Sequence, residues 1–246
     1  MVIIKLKKRF YKTYTIFFAE SPSFKHFLTS YYMQSISTNE YFGFHRISKY
    51  TKVVNLQDVD YENSFTKNTL YEIKRASRDG VCCEVTTDND MFIEAYNRFS
   101  MIKNLKTVLS TKYLQSFGDN LIITMAKSND GHILAFHSYI LDKSIKRVRL
   151  MHSVSLTFTI SDNLNIDKGF IGRANRLLHQ YDMEMLKKMG FETYDFGGYA
   201  FNTENPSLKG INSFKDSFGG ILIEESIYES YPLYLVKKIL TFKKKL

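Results

Sequence analysis

Tryptophan is absent from this 246-residue chain, cysteine occurs twice and proline three times. The two cysteines are neighbours, Cys82 and Cys83, and no Cys-x-x-Cys spacing occurs, which excludes a cysteine-built zinc site. Adjacent strand residues point to opposite faces, so the pair is not expected to form a disulfide and a reducing cytoplasm fits. Few prolines beside a hydrophobic content of 44% exclude a disordered chain and fit a globular protein with a sizeable core. No apolar run is long enough to span a bilayer. The basic start, residues 1–12, leads only into Ile16-Phe17-Phe18-Ala19, too short for the core of a secretory signal. There is no low-complexity stretch or internal repeat. Neither a Gly-x-Ser-x-Gly motif nor a Ser-His-Asp order suggests a covalent nucleophile. The spacing of His137, His152 and His179 supports no metal site.

What the chain does have is phenylalanine, tyrosine and positive charge. There are 20 Phe and 17 Tyr, and 34 basic against 25 acidic residues give a net charge of +9. That balance favours anionic partners: phosphorylated small molecules, RNA or an acidic membrane surface. Codon usage rich in A and T accounts for much of the lysine equally well.

The stretch 146–199 organises the rest. Val148, Leu150 and Val154 mark a strand over 146–155, and polar residues at 160–168 mark a loop. Ile171, Ala174, Leu178, Tyr181, Met185 and Met189 recur at helical spacing, Gly190 stops the helix, and 191–196 reads as a short strand. Strand, helix and strand in that order predict parallel strands with a right-handed crossover. The free N–H groups at the start of such a helix form an anion site. Gly172 permits close backbone approach there, and Arg173 and Arg176 add charge, so 169–174 is a candidate phosphate cradle; a plain turn glycine is the alternative.

Before this stretch, strands are predicted near 2–6, 14–18, 41–45 and 53–56, with a helix at 24–33. A helix over 69–80 starts on a Thr69/Glu72 capping box. Strand 81–86 follows, then a helix capped by Asp88, Asn89 or Asp90 with the stripe Phe92, Ala95, Phe99, Ile102. A short helix at 111–117 precedes an antiparallel meander of 121–127, 132–141 and 146–155. After 198 come a helix at 207–217, a strand at 221–228 and a basic amphipathic tail. The expected organisation is an N-terminal extension, 1–68, a main domain, 69–231, and a tail, 232–246, that packs on the domain or makes weak contact with the inner membrane face.

This order of elements from 81 onward resembles the GNAT acyltransferase fold, an α/β (α+β) architecture with a mixed, mostly antiparallel sheet flanked by helices. Its phosphate loop ends in Gly-x-Gly/Ala; here Gly172-Arg173-Ala174 supplies that half, while Gly169 stands where the family has Gln or Arg. Closer still, the segments 70–76, 171–179, Tyr194-Asp195-Phe196-Gly197-Gly198 and Phe214-Lys215-Asp216-Ser217-Phe218-Gly219-Gly220 resemble the Fem-type transferases and their single-domain relatives. Fem proteins carry the GNAT fold and add amino acids from aminoacyl-tRNA to peptidoglycan precursors. They normally hold two such domains, whereas this chain has room for one and a fragment.

The resemblance implies an enzyme that moves an acyl group from acyl-CoA, acetyl-CoA first of all, to an amine of an amino sugar or cell-envelope precursor, nucleotide-linked in one version. Two alternatives stand beside it: a Fem-like transferase using aminoacyl-tRNA, and a basic binding module without turnover. Gly169, Ile171, Gly172, Arg173, Ala174 and Arg176 are the implied cofactor-binding residues, and no metal is implied. Lys215, the lysine of the Phe-Lys-x-x-Phe-Gly motif, is the implied charge at the acyl site, where it stabilises a developing oxyanion. The fold's carbonyl-polarising backbone N–H maps to the region 152–155. Asp195 and His152 are candidates to orient or deprotonate the amine, and Tyr194, Tyr199 and Phe214 to line the acceptor site. Packed or solvated roles are the alternative for each.

Overall fold

The computed structural model describes residues 1–7, 12–105, 107–156 and 167–243. They form two compact units: Met1–Thr51, Gly198–Thr203 and Leu222–Leu246 in one, Lys52–Gly197 and Glu204–Ile221 in the other.

In the first unit β1 (Val2–Lys7), β2 (Lys12–Phe17), β3 (Ser30–Ser35), β10 (Ile221–Ser230) and β4 (Phe44–Asn55) are neighbours in the order β1-β2-β3-β10-β4. β1–β2 and β3–β10 are antiparallel, and β2–β3 is parallel. The helix predicted at 24–33 does not form: 24–29 are turns and Ser30–Ser35 is a strand. Tyr31 and Tyr32 suit a strand better than a helix. Pairing with both β2 and β10 satisfies the backbone, and Tyr32 is buried with Ile16, Phe44 and Tyr228. The tail is a helix, α6 (Tyr231–Lys243), with Leu235, Val236 and Ile239 exposed.

In the second unit the order is β4-β9-β8-β7-β6-β5, with β5 (Cys82–Thr86), β6 (Leu121–Lys127), β7 (Ile133–Asp142), β8 (Arg147–Ser155) and β9 (Thr193–Tyr199). The predicted meander is there, β6 to β8 all antiparallel, and so is the parallel β8–β9 pair. The crossover is the 21-residue helix α4 (Lys168–Lys188). Helices cover both faces. On one, α2 (Asn89–Ile102) and α3 (Thr111–Gln115) pack Phe92, Tyr96 and Leu114 against Phe136 and Val154. On the other, α1 (Lys67–Arg78) and α4 pack Ile73, Met183 and Leu186 against Tyr139, Val148 and Tyr194.

Several local expectations shift. α1 is capped by Thr66, whose side chain accepts the Thr69 N–H at 3.2 Å, one turn before the predicted box. α2 buries Phe92, Tyr96 and Ser100 while Ile102 is exposed. α4 turns further than its apolar stripe suggested: Met189 is exposed, and His179, Asp182 and Met183 are buried.

Helix α5 (Pro206–Asp216), capped by Asn205, ends in Phe218-Gly219-Gly220. Gly220 has φ +77°, and a Cβ there would sit 2.2 Å from the Val53 carbonyl oxygen. Backbone cannot yield as a flexible side chain does, so Gly220→Ala is expected to cost about 2–4 kcal/mol. Urea denaturation checks this, and a loss below about 1 kcal/mol would contradict the packing of this turn.

Candidate functional site

The parallel ladder of β8 and β9 runs through Arg147↔Thr193, Val148↔Tyr194 and Arg149↔Asp195 and ends there. The register of β8 on β7 slips between Ser138↔His152 and Tyr139↔Leu150, leaving Met151 as an extra, bulged residue. On β9, Gly197 has φ +77° and lies so close to the Leu150 carbonyl that a Cβ would come within 2.9 Å of its oxygen. The paired ladder thus ends at Arg149↔Asp195, with the Gly197 backbone still packed against Leu150.

Charged side chains gather at the end of this ladder. Asp195, fully buried, accepts hydrogen bonds at Oδ2 from Arg147 Nη2 and from Arg149 Nη1, the latter at 2.8 Å, and at Oδ1 from the Gly197 N–H at 2.7 Å. Lys215, from the last turn of α5, donates from Nζ to the Gly197 carbonyl at 3.2 Å. Burial pulls the Lys215 ammonium down to about 8; the Arg149 charge pushes the same way and Asp195 opposes it. An ammonium in such surroundings can stabilise negative charge on an oxygen brought beside it. Phe214 is beside it, with Arg176 over its ring at 5.1 Å from the centroid. Burial also lowers the Arg176 guanidinium below its ordinary range, and Glu72 opposes that.

The predicted phosphate cradle has a different character. Asp167 caps α4: its carboxylate accepts the N–H of Gly169 and of Phe170, each at 3.0 Å. Arg173 turns to Asp79 at 3.4 Å and to Asp167 at 3.8 Å. Ile171 and Ala174 are fully buried in the core with Leu178 and Ala135. A cavity of about 410 Å³ beside this helix start is lined by Asp79, Asp130, Asp167, His132 and Arg173, among others. The acidic cap satisfies the first-turn donors that a phosphate would use.

The other candidates have partners of their own. His152 bonds Ser138 Oγ through Nδ1 at 2.7 Å and packs edge-on to Tyr96 of α2. Burial lowers its pKa to about 4, so it is neutral at neutral pH. Tyr194 is fully buried and bonded to Tyr139 and His179. Tyr199 is a part-buried residue of the first unit. Among the described residues no group of three or more His, Cys, Asp and Glu side chains is arranged to hold a metal ion.

Two features escaped the sequence reading. Arg147 and Arg149 read only as strand residues, because their partner is more than forty positions away. Asn175, His179 and Asp182 follow one another at helical spacing on the inner side of α4, a polar row whose partners are His137 and Tyr139 on β7 and Tyr194 on β9.

No protein-family model matches the chain and a search of curated proteins finds no match. Solved structures do match. FemX aligns over 95% of this chain and 85% of its own with a TM-score of 0.63 at 12% identity. L-PGS from Bacillus licheniformis aligns over 84% of this chain and 70% of its own with a TM-score of 0.57 at 15% identity. The chain is an α/β protein that shares the fold of FemX and L-PGS, in line with the GNAT, Fem-like architecture its sequence resembles.

Proposed function

We propose that this chain is an acyltransferase working at the end of the β8–β9 ladder, with Lys215 as the charge that stabilises the oxyanion. The acyl donor is an aminoacyl ester of tRNA in preference to an acyl-CoA, and the acceptor is an amine of an envelope precursor. The observation that carries the reaction is the Lys215 Nζ contact with the Gly197 carbonyl at the end of the β8–β9 ladder. The choice of donor rests on Asp167, whose carboxylate fills the helix start that the pyrophosphate of CoA would need. The excess of positive charge, +9 over the chain, suits a polyanionic donor. The resemblance of the sequence to Fem-type transferases, which use aminoacyl-tRNA, points the same way.

Thermal-shift titrations with acetyl-CoA, longer acyl-CoAs and a charged tRNA pool test it, since a ligand that binds the folded state raises its apparent stability. Charged tRNA is expected to raise the melting temperature, with an affinity that falls steeply as salt increases. A saturable shift with CoA esters and none with tRNA would overturn the donor and restore the acyl-CoA reading. Silence from both would favour the binding module without turnover.

A further inference from the structure

A chain of hydrogen bonds runs through the buried interior between β7, β9 and α4. Tyr139, Tyr194, His137 and Asp182 are fully buried and His179 is 1% exposed. Tyr139 O–H donates to Asp182 Oδ2 at 2.5 Å. Tyr139 and Tyr194 hydroxyls are 2.7 Å apart, and Tyr194 OH is 2.7 Å from His179 Nδ1. His137 Nδ1 reaches the same Asp182 oxygen at 2.7 Å.

His137 Nδ1 is also 3.1 Å from the Tyr139 hydroxyl, and its Nε2 is 2.9 Å from Asn175 Oδ1. The directions along Asp182, Tyr139, Tyr194 and His179 follow from donor counting with Asp182 as the acceptor. An ionised carboxylate only accepts, and each phenol has one proton to give. Tyr139 gives its proton to Asp182, so its oxygen accepts from Tyr194. Tyr194 has then spent its own proton, and its oxygen accepts from His179. Both phenols keep their protons, because burial and the Asp182 charge hold them well above the ordinary range for tyrosine. His179 must therefore carry its proton on Nδ1 and present Nε2 as a lone pair. Burial, with the charges of His137, Lys215 and Arg176, keeps this ring well below its ordinary range and so neutral. Around it are the His137 ring, 4.2 Å away between centroids, and Phe196, Phe214 and Phe218 at 5.1 to 5.4 Å. Phe214 is the residue before Lys215, and the Lys215 charge acts on the His179 ring, so the ring is a neighbour of the proposed acyl site.

We propose that His179 is the general base of the transfer, with Tyr194, Tyr139 and Asp182 as positioning residues that fix its tautomer and drain its proton. This rests on the acyl-transfer reading above. The acceptor nitrogen forms the new C–N bond and gives a proton to His179 Nε2. The Nδ1 proton passes to Tyr194, the Tyr194 proton to Tyr139, and the Tyr139 proton to Asp182. When the C–O bond to the ribose of the donor breaks, the same steps in reverse return a proton to the leaving oxygen. Apolar residues in place of a buried ionic network are often as stabilising, so stability alone does not account for this one.

Nitrogen-15 NMR of the histidine side chains at neutral pH tests the tautomer without any assay of transfer, the His179 signal being assigned by its loss in His179→Gln. Protonation at Nδ1 is expected in the native protein and a move to Nε2 in Tyr194→Phe. The same variant is expected to lower kcat for transfer from charged tRNA about 10- to 100-fold with KM unchanged and melting temperature nearly so. Tyr139→Phe, which breaks the same line one step further on, should repeat the effect. Native His179 protonated at Nε2, or a Tyr194→Phe enzyme with full kcat, would overturn the proposal. Absence of transfer by the native protein with every donor would instead overturn the acyltransferase reading, and the NMR result would still decide whether the hydrogen-bond line runs as drawn.

Discussion

Lys215→Met is expected to make the protein more stable and to remove its activity. The native ammonium is 9% exposed and titrates near 8, pulled down first by burial and then by Arg149. A depression from 10.5 to about 8 represents roughly 3 kcal/mol against the charged form. Methionine keeps most of the apolar stem and drops the charge, so a gain of about 1–2 kcal/mol is expected at neutral pH, read as a rise in melting temperature. The lost contact with the Gly197 carbonyl is what keeps the gain below the full amount. Linkage supplies a second signature. Between pH 8 and 10.5 the unfolded lysine still holds its proton while the folded one has released it, so native stability should climb with pH across that window and the variant's should not. Transfer should fall about 10²–10³-fold, the usual loss when one oxyanion donor is removed. In the native enzyme the rate should drop as pH rises through about 8, because the protonated form acts. A Lys215→Met protein with full transfer would remove the catalytic assignment, and one that is less stable than the native protein would make Lys215 a structural residue.

The second unit was legible because its signals are local and periodic. The stripe Ile171, Ala174, Leu178 set α4, two turn-like breaks set the meander, and a strand–helix–strand order set the parallel pair. The first unit was harder. β3 lies between a parallel neighbour, β2, and an antiparallel one, β10, nearly two hundred residues later in the chain, and no local pattern announces such partners. The site divides in the same way. Lys215 and Asp195 came from recognisable motifs, but their electrostatics depend on Arg147 and Arg149, which only the folded sheet brings to them. The surroundings of the phosphate cradle were hidden for a related reason. Its glycine and arginines suggest an anion, yet Asp167, read as loop composition, folds back as the cap and Asp79 draws Arg173 aside.

Asp195→Asn is expected to cost about 3–5 kcal/mol, the range for removing one partner of a buried ion pair. The native carboxylate is fully buried, and Arg147 and Arg149, both largely buried, converge on one of its oxygens. An amide leaves two cations facing a neutral group. The Gly197 N–H can still bond to the remaining carbonyl, so the loss isolates the charge more than the turn. The same change reaches the acyl site. Asp195 is the charge that raises Lys215 against burial and Arg149, and without it Lys215 should titrate below about 8. The alkaline limb of the rate should therefore move to lower pH in the variant. Chemical denaturation measures the first effect and a pH–rate profile the second. Adding Arg149→Leu to Asp195→Asn should restore part of the stability and raise the Lys215 titration again, because it removes the repelling charge. A single variant within about 1 kcal/mol of native would mean that other groups neutralise the arginines. A double variant no better than the single would mean that Arg149 is not what lowers Lys215, and the electrostatic account of the site would have to be rebuilt around burial alone.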